Sequence, residues 1–125
     1  MFIRSVLEQS SVVWSSSLTI DECKSLERVQ KVALRIIFQQ NYISYQNSLD
    51  VSKLTTMEDR YKHLLLKFAI KCAKNESTKD ILPMNAPNGR TRHQETFTVP
   101  FARKERFRKS TIPKMARLLN DKGNK

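Results

Sequence analysis

At 125 residues, with 23 Lys and Arg against 12 Asp and Glu and a formal net charge of +11, the chain has room for one domain with an extension, and its field favours polyanions. Leu, Ile, Val and Phe make up about a quarter of the residues, more than a disordered chain carries, so a core is expected. No run nears the ~18–20 apolar residues of a membrane span, and Arg4 and Glu8 interrupt what a signal peptide would keep apolar. The expectation is an intracellular chain, nuclear or cytoplasmic and not secreted. Cys23 and Cys72 then read as reduced core thiols on buried helix faces.

Phe2, Ile3, Val6, Leu7, Ser10, Val13 and Trp14 recur at helical spacing and predict one helix that stops at Ser15-Ser16-Ser17. Met1 sits hard against this stripe, an unusual start for an independent domain, and the expectation is a truncated or internal beginning. Thr19-Ile20-Asp21-Glu22 reads as a capping box opening a helix to about Phe38. Cys23, Leu26, Val29, Ala33, Leu34, Ile36 and Ile37 mark its apolar face, and Lys24, Glu27, Arg28, Lys31 and Arg35 line the other. Glu27–Lys31 is the pair expected to support it and Lys31–Arg35 the pair that opposes it. A shorter helix follows Ser44, anchored by Tyr45, Leu49 and Leu54. Thr56 with Asp59 opens a third long helix, with a stripe of Met57, Tyr61, Leu64, Leu65, Phe68, Ala69 and Cys72 that ends near Lys74-Asn75.

These pieces predict a mostly α fold: a small antiparallel helical bundle over residues 1–75, then a linker over 76–95 and a basic arm with a short C-terminal helix over 96–125. Pro83, Pro87 and Asn88-Gly89 mark the linker. Thr96–Phe101 alternates like a strand, but Pro100 limits it to an edge strand or an extended arm. Ile112-Pro113 starts the last helix, with Pro113 in its first turn.

The charge is uneven. Residues 90–125 hold 11 basic and 3 acidic groups and carry most of the excess. Arg103, Lys104, Arg106, Arg108 and Lys109 form its centre, Arg90 and Arg92 flank it, and Phe97, Phe101 and Phe107 interleave. Guanidinium forks suit phosphate oxygens and aromatic faces stack on unpaired bases, so these seven cations are the candidate nucleic-acid-binding residues. The phenylalanines have a second reading, as anchors of the arm on the bundle.

Catalytic and metal-ligating sets are missing from the inventory. The five aspartates are scattered, and Gly89 and Gly123 cannot make a phosphate loop. His63 and His93 stand at no zinc-ligand spacing from Cys23 and Cys72. His63 reads as a helix-surface residue. No enzyme activity, cofactor or metal is expected, and RNA or DNA is the expected partner. A membrane surface is not, because the basic stretch lacks an apolar helical face.

The order of landmarks resembles the C-terminal tail of reverse transcriptases from jockey-type non-LTR retrotransposons. Ile3-Arg4-Ser5-Val6-Leu7-Glu8 with Trp14, Leu26-Glu27-Arg28-Val29-Gln30-Lys31 and Ala33-Leu34-Arg35-Ile36-Ile37 come first. Tyr45 with Leu49, Leu54 with Asp59-Arg60, and Leu64-Leu65-Leu66-Lys67-Phe68 follow. Arg90-Thr91-Arg92, Val99-Pro100-Phe101-Ala102-Arg103, Arg106-Phe107-Arg108, Ser110-Thr111-Ile112-Pro113 and Arg117-Leu118-Leu119-Asn120 complete the set. Gln9 and Ser10 depart from an aromatic and a cysteine common in that family. The resemblance implies a fragment of an RNA-directed DNA polymerase whose catalytic aspartates and endonuclease lie upstream. It also implies faces that packed on a polymerase thumb, with Phe2, Val6, Trp14 and Tyr61 as candidates. The other readings are a helical protein-interaction module and a decayed remnant without selected function.

Overall fold

The computed structural model describes residues 2–82, 84 and 96–123, and these form a mostly α-helical fold. The helices are α1 (Phe2–Glu8), α2 (Ser11–Trp14), α3 (Ile20–Phe38), α4 (Tyr45–Ser52), α5 (Met57–Lys74), α6 (Glu105–Arg108) and α7 (Thr111–Gly123), with 3-10 turns at Ser15–Ser17, Gln39–Asn41 and Glu76–Ile81. Among the described residues, Thr96–Phe101 forms no strand, and β pairing is confined to an antiparallel bridge between Met84 and Phe97. Pro83, Pro87 and Asn88-Gly89 lie outside the described residues.

The long helices begin where local chemistry sets them. The Thr19 backbone N–H donates to Glu22 Oε2 at 2.7 Å, and the Glu22 N–H donates to Thr19 Oγ1 at 3.4 Å, which closes the expected capping box. Ser44 Oγ accepts from the Asn47 N–H at 3.2 Å to open α4. That helix ends on Lys53 in the left-handed region (φ 54°), and the Leu54 N–H returns to the Leu49 carbonyl at 2.9 Å. Thr56 Oγ1 accepts from the Asp59 N–H at 3.3 Å to open α5. Glu58 and Asp59 in the first turn of α5, and Lys71 and Lys74 in its last, complement the helix dipole.

One carboxylate then joins three helices. Glu27 Oε2 on α3 accepts from the Met57 N–H, the first of α5, at 2.8 Å, while Glu27 Oε1 accepts from the Tyr45 hydroxyl of α4. The expected Glu27–Lys31 pair is therefore not made: the carboxylate is committed to a helix N-terminus, and the Lys31 ammonium lies over the Tyr45 ring at 5.7 Å. Burial, reinforced by Glu27, raises the Tyr45 hydroxyl pKa well above the ordinary phenol value and keeps it a donor.

The first predicted helix is broken in two. Ser10 adopts φ 52°, and the chain restarts as α2 with Ser11 buried. The break is held by tertiary contacts that a continuous helix would lose. The Trp14 indole N–H donates to the Gln9 carbonyl at 2.9 Å, and its ring meets Tyr61 edge-on with centroids 5.3 Å apart. The Tyr61 hydroxyl donates to the Leu7 carbonyl at 3.0 Å, satisfying a group left open at the end of α1. Tyr61 is thus buried and Trp14 is half-buried inside the fold, while Val6 is exposed.

On α3 the buried face also differs from expectation. Ala33 and Leu34 are buried, but Val29, Ile36 and Ile37 are exposed, and Gln30 is 4% exposed in their place. Its amide Nε2 donates to the Tyr45 hydroxyl at 3.0 Å and to the Thr55 carbonyl at 3.2 Å, so the polar side chain fills a core position by joining α3 to the α4–α5 connection.

Helix α5 is the hub. Its first half buries Met57 and Tyr61, and its second half buries Leu65, Ala69 and Cys72. The latter three cluster with Leu82 beyond the 76–81 turn and with Met115 and Ala116 of α7, while Val12, Phe97, Val99, Leu118 and Leu119 close the periphery. Phe68, expected in the stripe, is 41% exposed. Cys23 and Cys72 are free thiols, half-buried and buried respectively, and His63 is exposed. Terminal helix and bundle therefore share one core. Pro113 is fully buried in the first turn of α7, where its missing N–H costs no helical bond.

Candidate nucleic-acid interface

The basic segment is fastened at both ends, to α7 at its root and to α2 at its far end. At its root, the Phe97 N–H donates to Asn120 Oδ1 at 3.0 Å and Asn120 Nδ2 donates to the Phe97 carbonyl at 3.1 Å. At its far end, Thr111 Oγ1 donates at 3.2 Å to the carbonyls of Val12 and Val13 in α2. Between these points α6 supplies a single helical turn. The Phe107 and Arg108 N–H groups return to the Lys104 carbonyl, and Arg117 Nη1 of α7 donates to the Arg108 carbonyl at 3.2 Å.

Arg103, Lys104, Arg106, Arg108 and Lys109 are all exposed on this segment. Lys109 Nζ lies 3.3 Å from Glu105 Oε1, a solvated i,i+4 pair that contributes little. Arg103, Lys104, Arg106 and Arg108 make no ion pair among the described residues. Arg90 and Arg92 lie outside the described residues.

The phenylalanines divide between the two readings. Phe97 is partly buried against the core and anchors the segment. Phe101 is 90% exposed and Phe107 is 47% exposed, so both residues, interleaved with the arginines, present surface to solvent. Sequence alone could not separate them, because the division depends on the Asn120 clamp at Phe97. It also missed Arg117, whose guanidinium braces the turn that carries Arg108; no local pattern marks that contact, which spans 9 residues.

The arrangement offers charge and planar surface. Among the described residues no group of three or more His, Cys, Asp or Glu could hold a metal ion. No helix among the described residues is long and apolar enough to cross a membrane. In comparisons with known proteins, no family model, no curated protein and no solved structure matches the chain.

Proposed function

We propose that this chain is a non-catalytic, sequence-blind nucleic-acid-binding module that grips the phosphate backbone through Arg103, Lys104, Arg106, Arg108 and Lys109. The observation that carries this reading is a set of four exposed cations that make no ion pair among the described residues, beside the exposed Phe101 ring, on a segment fixed at both ends. A fixed mount limits the entropy lost when side chains meet phosphates, and Phe101 adds a stacking surface for an unpaired base. Counterion release makes such binding steeply salt-dependent.

We further propose that the module corresponds to the C-terminal tail of a jockey-type reverse transcriptase, with Arg90 and Arg92 in the same binding role. The ordered motifs from Ile3 to Asn120 support this part.

A labelled 20-nucleotide uridine RNA titrated with the full chain over a salt series tests the binding reading. Tight binding at low salt that weakens steeply as salt rises is the expected result. Absent or salt-insensitive binding overturns it.

A further inference from the structure

We propose that α3 carries a second phosphate-binding surface, formed by Lys24, Arg28, Lys31 and Arg35. It is built on a different helix from the basic arm and stands whether or not the arm binds. At 3.6 residues per turn, positions 24, 28, 31 and 35 fall within a sector of about 60°, a straight ridge roughly 16 Å long. All four side chains are exposed, and none makes an ion pair among the described residues.

Three neighbouring pairs on this ridge, Lys24–Arg28, Arg28–Lys31 and Lys31–Arg35, are like-charge contacts at i,i+3 or i,i+4 that weaken a helix in isolation. The acid best placed to relieve them is Glu27, and its carboxylate is held by the Met57 N–H and the Tyr45 hydroxyl. Lys24 borders a groove of about 440 Å³ that Glu27 and Glu58 also line, yet it bonds to neither. The fold thus withholds the counter-charge from the ridge.

Two of the cations are also held in place. Lys31 Nζ lies 5.7 Å from the Tyr45 ring centroid, and Arg35 Cζ lies 5.4 Å from that of Tyr42. A cation over an aromatic ring loses some side-chain freedom and keeps N–H donors for an anion. A nucleic-acid strand spaces its phosphates at about the 3.4 Å of a duplex strand or further apart when single and extended, so a ridge of this length meets at most about five of them with four cations.

A nucleic-acid backbone fits this surface better than an anionic membrane. Val29, Val32 and Ile36 are exposed beside the ridge, and Ile37 is exposed as well, while Ala33 and Leu34 seat α3 in the bundle. The regular spacing of the four cations, matched to a run of phosphates, is what favours the nucleic-acid backbone.

The test uses the full chain and the same 20-nucleotide uridine RNA in four forms: unchanged, K24Q/R28Q/K31Q/R35Q, R103A/R106A/R108A, and all seven changes together. At about 0.7 per phosphate on a single strand, loss of the ridge should flatten the slope of log K against log salt by up to about 3, with or without the arm changes. K24E/R28E leaves both tyrosine contacts in place and should weaken binding at low salt by at least about tenfold, with the helical circular dichroism unchanged. An unchanged slope in K24Q/R28Q/K31Q/R35Q, or unchanged affinity in K24E/R28E, overturns the proposal. So does ridge-dependent capture by phosphatidylserine vesicles with RNA binding unaffected. Loss of the slope in the arm variant alone would uphold the arm and remove the ridge.

Discussion

Asn120 and the main chain of Phe97 form a two-bond clamp, at 3.0 and 3.1 Å, that joins α7 to the root of the basic segment. Asn120 is 7% exposed, so neither bond is readily replaced by water. Asn120→Ala leaves a part-buried N–H and C=O unpaired and should destabilise the chain by about 2 kcal/mol in urea unfolding. It should also remove hydrogen-exchange protection from the Phe97 amide. Unchanged stability and protection would show that the clamp does not hold the segment.

The shared core predicts coupling between α5 and α7. Leu65 is 1% exposed and belongs to the cluster that contains Met115. Leu65→Ala should cost about 2–5 kcal/mol, as should Met115→Ala. Because the two side chains lie in one cluster, L65A/M115A should depart from the sum of the single changes by at least about 0.5 kcal/mol. Additivity would mean that bundle and terminal helix unfold as separate units.

Acid should loosen the junction of α1 with α5. Glu8 accepts from Arg60 Nε at 2.8 Å, Arg60 Nη2 at 3.1 Å and Arg4 Nε at 2.9 Å. Burial alone would raise the Glu8 pKa, but the bonds from Arg60 and Arg4 outweigh it and hold the carboxyl below the ordinary 4.5. A folded-state pKa below the unfolded value means the unfolded chain binds the proton first. The contribution is therefore complete above 4.5 and disappears as pH falls through the lowered value. Arg60 is partly solvated, so Glu8→Gln should cost only about 1 kcal/mol near neutral pH. Urea midpoints should differ at about pH 6 and converge at about pH 3, and a gap that stays constant would contradict the assignment.

What the sequence revealed depended on how local the cause was. Thr19 with Glu22, Ser44 with Asn47 and Thr56 with Asp59 settle three helix starts within three residues each, and all three are legible. Ser10 was not legible as a break, because its left-handed backbone serves contacts of Trp14 and Tyr61 that form only in the folded chain. Gln30 took a core position expected of Val29 because its amide partners lie 15 and 25 residues away. In the candidate site, the cation density of Arg103–Lys109 marked the exposed segment. The roles of Phe97 and Phe101 could not be read, since the Asn120 partner is 23 residues downstream.

The most direct test of the phosphate-binding account is the salt dependence of RNA affinity in R103A/R106A/R108A against the unchanged chain. All three side chains are exposed, so the variant should fold as the parent does. At about 0.7 per phosphate contact, the slope of log K against log salt should fall by about 2, with weaker binding at low salt. An identical slope and affinity in the two proteins would contradict the account.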